Sequence, residues 1–90
     1  VAASDQYAVG TVPALLASAP AIAYPGPAGW FYITVGTATS VYLGGSVVTT
    51  SNGAQAGAGS TLTGYLFSGD QVYAVTAAGT VTVGVLQTGA

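Results

Sequence analysis

Few side chains in this sequence are equipped for acid, base or ligand chemistry. There are two carboxylates, Asp5 and Asp70, seven serines and six tyrosines, and there is no histidine, cysteine, lysine, arginine or methionine. Hydrolytic acid–base chemistry needs a histidine or two carboxylates converging on one site. Here one aspartate sits near the start of the chain and the other in a Ser-Gly-Asp turn. A serine nucleophile needs a base to take its proton, and none is present. A metal site asks for more carboxylates, or for imidazole or thiolate. Asp70 offers one oxygen and reads as the side-chain cap of its own turn. No catalytic, cofactor-binding or metal-ligating residue is therefore assigned, and the chain is expected not to be an enzyme.

The same absences narrow the partners. Affinity for a nucleic-acid backbone comes from Lys and Arg releasing counterions, so no nucleic-acid partner is expected. A phosphate loop needs Lys at a strand-to-helix turn, so Gly44-Gly45 and Gly57-Ala58-Gly59 read as turns. Mean hydropathy is high, but Pro13, Pro20, Pro25 and Pro27 interrupt the apolar runs. No spanning helix or membrane insertion is expected. The first residues carry no basic segment followed by an apolar one, so no retained signal peptide is expected; the valine start fits loss of an initiator methionine or of a leader.

Aromatic exposure is the positive signal. In Trp30-Phe31-Tyr32-Ile33-Thr34-Val35, a strand puts Phe31, Ile33 and Val35 on one face and Trp30, Tyr32 and Thr34 on the other. Trp30, Tyr32 and Tyr42, near Tyr24, then form an outward stripe that either stacks on sugar rings or anchors a protein contact; a second sheet or the proline-rich loop covering it is the equally weighted structural reading.

The elements that would position this stripe follow from period-2 alternation and turn residues. Residues 1–6 (Val1, Ala2, Ala3, Ser4, Asp5 and Gln6) read as a flexible N-terminal arm. Residues 7–90 read as one domain. Strands are expected over 7–12, 14–17, 30–35, 40–43, 47–50, 61–67, 71–76 and 80–85, with Ala54 to Ser60 a loop. The strand at 40–43 is expected to pair back on 30–35, and Ala77-Ala78-Gly79 is expected to close a hairpin between the last two. Residues 18–29, with Pro20, Pro25 and Pro27, form a long loop of the kind that often binds. The expected class is all-β, a small antiparallel β-sandwich or jelly-roll-like barrel of seven to eight short strands, with the sandwich ranked first. The expected core is Leu15, Phe31, Ile33, Val35, Val41, Leu43, Leu62, Leu66, Val75, Val81, Val83 and Val85.

Ninety residues of net charge −2, 51% hydrophobic and 2% charged, bound the rest. This is one domain of modest stability, roughly 0.05–0.15 kcal/mol per residue. Low charge goes with weak colloidal repulsion, so much of the surface is expected to be covered by other protein.

From Trp30 to Leu86 the chain resembles a known family. The residues that carry the likeness are Val41-Tyr42-Leu43-Gly44-Gly45-Ser46, Ser51-Asn52-Gly53, Gly69-Asp70-Gln71-Val72-Tyr73-Ala74-Val75 and Gly79-Thr80-Val81-Thr82-Val83, in that order. They are similar to small β-domain head decoration or minor capsid proteins of tailed bacteriophages. The resemblance implies a virion structural protein on the capsid exterior, bound in many copies, as a homotrimer, to the major capsid protein and bridging its subunits. A tail or fibre subunit is the alternative within that class. From another class, the alternative is a secreted carbohydrate-binding module that holds a glycan through Trp30, Tyr32 and Tyr24. The residues expected to touch a partner are those of the arm, Tyr24, Pro25 and Pro27 of the loop, and Trp30, Tyr32 and Tyr42.

Overall fold

The computed structural model describes residues 3–18, 27–67 and 69–89. They form eight strands: β1 (Ala3–Val9), β2 (Ala14–Ser18), β3 (Pro27–Val35), β4 (Val41–Gly44), β5 (Ala54–Ala56), β6 (Thr61–Phe67), β7 (Gln71–Val75) and β8 (Val81–Gly89). All pairings are antiparallel and give two four-stranded sheets, β1-β8-β3-β6 and β2-β7-β4-β5. Among the described residues no ladder joins the sheets, so the fold is a sandwich and not a closed barrel. The nested pairs β1–β8, β2–β7, β3–β6 and β4–β5 are those of a long hairpin rolled on itself, which is the jelly-roll order.

That order corrects the two local pairings the alternation suggests. β7 and β8 are not a hairpin: β7 pairs with β2 and β4, and β8 with β1 and β3. The link between them crosses from one sheet to the other. Thr76 is buried, its N–H donates to the Gly10 carbonyl at 2.8 Å, and its hydroxyl donates to the Gly79 carbonyl at 2.9 Å. β4 likewise does not fold back on β3. The Gly36 N–H still donates to Thr82 of β8, after which the chain changes sheet before Val41. Short turns of small residues serve a hairpin and a crossover equally well, so the turn sequence alone does not choose.

Residues 3–6 are not a free arm. Ala3, Ser4, Asp5 and Gln6 pair with Gln87, Leu86, Val85 and Gly84 as part of β1. The long β8 would otherwise present a row of unpaired backbone groups on that side, and β1 satisfies them. The proline-rich loop is shorter than expected: Ser18 belongs to β2, and Pro27 opens β3, the strand position at which a missing N–H does least harm. Residues 47–50 are turn and not strand. The Thr49 N–H donates to Asn52 Oδ1 at 2.7 Å, and the Gly53 N–H donates to the Thr49 carbonyl at 2.9 Å, so local side-chain bonds displace the ladder. Residues 54–56, expected in a loop, are β5.

The inner faces interlock around Val9, Leu16, Ile33, Val35, Val41, Leu66, Ala74, Val81, Val83 and Val85, with Phe31, Leu43 and Leu62 packed against them. Leu15 is the one expected core residue that is exposed, at 40%. The register of β2 shifts between Leu15 and Ala17, and Leu16 and Ala17 take the interior. Val75 is buried but outside this cluster. It faces out of the second sheet and lines a groove with Val48, which the 45–53 turn lays over that sheet.

Candidate functional site

The outer face of the β1-β8-β3-β6 sheet is built by simple alternation. With Ile33 and Val35 buried, Trp30, Tyr32 and Thr34 must point outward, and they do. The register then fixes their neighbours. Trp30 lies between Thr88 and Tyr65, Tyr32 between Leu86 and Thr63, and Thr34 between Gly84 and Thr61. β1 adds Ser4 beside Leu86 and Gln6 beside Gly84. The result is three cross-strand rows of aromatics, threonines and one leucine.

Trp30 and Tyr65 are each 52% exposed, with ring centroids 4.2 Å apart and planes tilted by 49°. Four of the seven large apolar side chains exposed among the described residues, Trp30, Tyr32, Tyr65 and Leu86, lie on this face. Such clustering makes this face the candidate contact surface, whereas singly scattered apolar residues need no explanation. Two shallow depressions cut it. One lies over Gly84, between Gln6, Tyr32, Thr34 and Leu86; a Cβ at Gly84 would come 2.7 Å from Thr34 Oγ1, so only glycine leaves this floor open. The other is bounded by Trp30, Tyr32, Thr63, Leu86 and Thr88.

The electrostatics are equally plain. Asp5 is the only charged side chain at this face, on its β1 rim, and its carboxylate accepts the Gln6 N–H at 2.8 Å. Asp70 precedes β7 of the other sheet, so the two carboxylates do not share a site. Among the described residues no three potential metal ligands come together, and no helix is long and apolar enough to cross a membrane. The face can stack a flat or apolar group on its rings and exchange hydrogen bonds through threonine hydroxyls. It holds no acid–base pair.

No family model, curated protein or solved structure matches the chain. The site therefore rests on its own geometry.

Of the residues expected to touch a partner, Trp30 and Tyr32 are brought together on this face, with Ser4 and Gln6 at its β1 side and Asp5 on the rim. Tyr42 is not. It lies on the second sheet, opposite Val75 and Gln55, with its Cβ against the backbone of Gly53. Pro27 is the first residue of β3, and Ala3 is in β1. Val1, Ala2, Tyr24 and Pro25 lie outside the described residues. Tyr65 and Leu86 are the members that sequence reading missed. The alternation of Thr61, Thr63 and Tyr65 against Leu62 and Leu66 was a usable signal for Tyr65. Nothing local showed that β6 would lie beside β3.

Proposed function

We propose that this chain is a non-catalytic docking module, a structural subunit of a tailed-phage virion that decorates and cements the capsid exterior in many copies. The observation that carries it is the outer face on which Trp30, Tyr32, Tyr65 and Leu86 cluster, with no charge but that of Asp5 on its β1 rim. Interface centres are depleted in charge and enriched in aromatics, and this face has that composition. The virion assignment itself comes from the resemblance over Trp30 to Leu86. The jelly-roll order agrees with it by fold-level analogy only, since that architecture serves viral shell and lectin domains alike. In this reading the aromatic face lies across a seam of the major capsid protein, and several copies on one lattice gain avidity from high effective concentration.

A second reading is favoured by one specific feature. Trp30, whose ring is braced by Tyr65, bounds an apolar, threonine-rimmed depression with Tyr32 and Leu86, a surface on which a sugar ring can stack while its hydroxyls bond to Thr63 and Thr88. This is the carbohydrate-binding module.

Mass spectrometry and immunogold electron microscopy of gradient-purified phage particles from cells that carry the sequence test the first reading. The expected result is many copies labelled on the capsid exterior, with loss of rebinding by the Trp30→Ala chain. Absence from particles, together with binding to a glycan array that Trp30→Ala abolishes, replaces it with the second.

A further inference from the structure

Two sheets have four edge strands, and three of them are guarded. β2 carries a register shift, β5 is three residues long, and β1 bears a carboxylate. The guard on β1 is specific. Ladder bonds alternate along an antiparallel strand, and the Gly36 N–H to Thr82 carbonyl bond shows that even-numbered β8 residues bond to β3. Odd-numbered β8 residues therefore bond to β1, through Asp5, Tyr7 and Val9, which turns the Gln6 N–H to the open side. The Asp5 carboxylate takes that N–H at 2.8 Å.

β6 has no such guard. It runs for seven residues, Thr-Leu-Thr-Gly-Tyr-Leu-Phe, with no charge, no proline and no register shift between Gly29 and Thr34 of its partner. Among the described residues no strand pairs with its other side. The Val35 N–H donates to the Ser60 carbonyl, so Leu62, Gly64 and Leu66 bond to β3 by the same alternation. Thr61, Thr63 and Tyr65 present their N–H and C=O groups outward. An uncharged edge of this length is a template for another strand.

We propose that β6 pairs antiparallel with β6 of a second copy of this chain, about a two-fold axis through Thr63. Thr63 then opposes Thr63 of the second copy, Thr61 opposes its Tyr65, and each opposed pair exchanges two backbone hydrogen bonds. In this register Leu62 of one copy lies opposite Gly64 of the other. That glycine already carries the Phe31 ring, 2.6 Å from where a Cβ would be, so Leu62 of the second copy finds apolar surface and no competing side chain. The self-complementary register, Leu62 over Gly64 on both sides of the axis, makes a second copy the occupant, and charge permits it. A two-fold axis brings identical groups together, which punishes charged edges, whereas 61–67 is neutral and Asp5 lies on the opposite edge of the sheet. The two sheets become one of eight strands, with both Trp30–Tyr65 pairs on a continuous outer face. The pairing closes at two, in contrast to the trimer that the resemblance implies. It does not depend on what the aromatic face binds.

Sedimentation velocity on the purified chain from micromolar to millimolar concentration is the test. The expected result is a concentration-dependent dimer. Thr63→Pro removes an N–H that points away from β3 and has no partner among the described residues, and is expected to yield a monomer with unchanged far-UV circular dichroism. Thr63→Lys places like charges across the axis and is expected to weaken the dimer at low salt, with recovery as salt rises. Gln6→Pro, at the guarded edge, is expected to leave the dimer intact. A chain that stays monomeric, one that closes as a trimer, or a dimer that survives both Thr63 substitutions would overturn the proposal. Loss of the dimer on Gln6→Pro as readily as on Thr63→Lys would also overturn it.

Discussion

The indole of Trp30 and the phenol of Tyr65 face the same side of adjacent strands as direct ladder partners, with ring centroids 4.2 Å apart. They are separated by more than thirty positions in the chain. Their contact joins β3 to β6 on the outer face of the first sheet, so it ties the stability of that edge to the shape of that face.

A double-mutant cycle with Trp30→Ala and Tyr65→Ala measures that tie. A coupling of about 0.5–1.5 kcal/mol is expected in urea unfolding, the usual worth of an aromatic pair beyond its buried area. Additive effects would mean that the rings sit side by side without holding each other.

Val83 is fully buried between the sheets, whereas Leu15 looks out of the second sheet. Val83→Ala is expected to cost roughly 1–3 kcal/mol of folding stability through lost contacts and an unfilled space. Leu15→Ala is expected to change stability by less than about 1 kcal/mol. Equal losses by chemical denaturation would put Leu15 back in the core.

Deleting residues 1–6 is expected to lower the melting temperature, since it strips the β1 pairing from Leu86, Val85 and Gly84. A loss of even 1 kcal/mol lowers the midpoint of a domain this size by about 4–8 °C. An unchanged melting curve by circular dichroism would restore the free arm.

Glycines 64 and 79 are expected to resist alanine for different reasons. A Cβ at Gly64 meets the Phe31 ring at 2.6 Å, so Gly64→Ala should cost about 1–3 kcal/mol by overpacking, and Phe31→Leu should relieve part of it. Gly79 has open space around it but a φ of 70°, so Gly79→Ala should cost about 1–2 kcal/mol and Gly79→Asn less. Equal costs for Ala and Asn at 79 would show that contact, not backbone conformation, holds the position.

Much of this was legible in the residues themselves. Period-2 alternation placed β3, β6 and β8, assigned Ile33, Val35, Val81, Val83 and Val85 inward, and turned Trp30 and Tyr32 out, because the pleat leaves each side chain only two directions. Composition set aside acid–base and nucleic-acid chemistry as expectations, because those need side chains the chain does not have. What the alternation does not contain is which strand lies beside which. Among the described pairings only β4 and β5 are both adjacent in sequence and paired; the other six strands pair with strands distant in the chain, so Ala77-Ala78-Gly79 read as a hairpin turn when it is a crossover held by buried Thr76. Residues 3–6 looked too polar to order themselves, and their order comes from β8, almost a whole chain length away. Tyr65 joined the site, and Tyr42 left it, for the same reason. A strand's faces are set by its own sequence through local sterics, whereas its neighbours are chosen by the burial and backbone bonding of the whole chain at once, and only the folded arrangement expresses that choice.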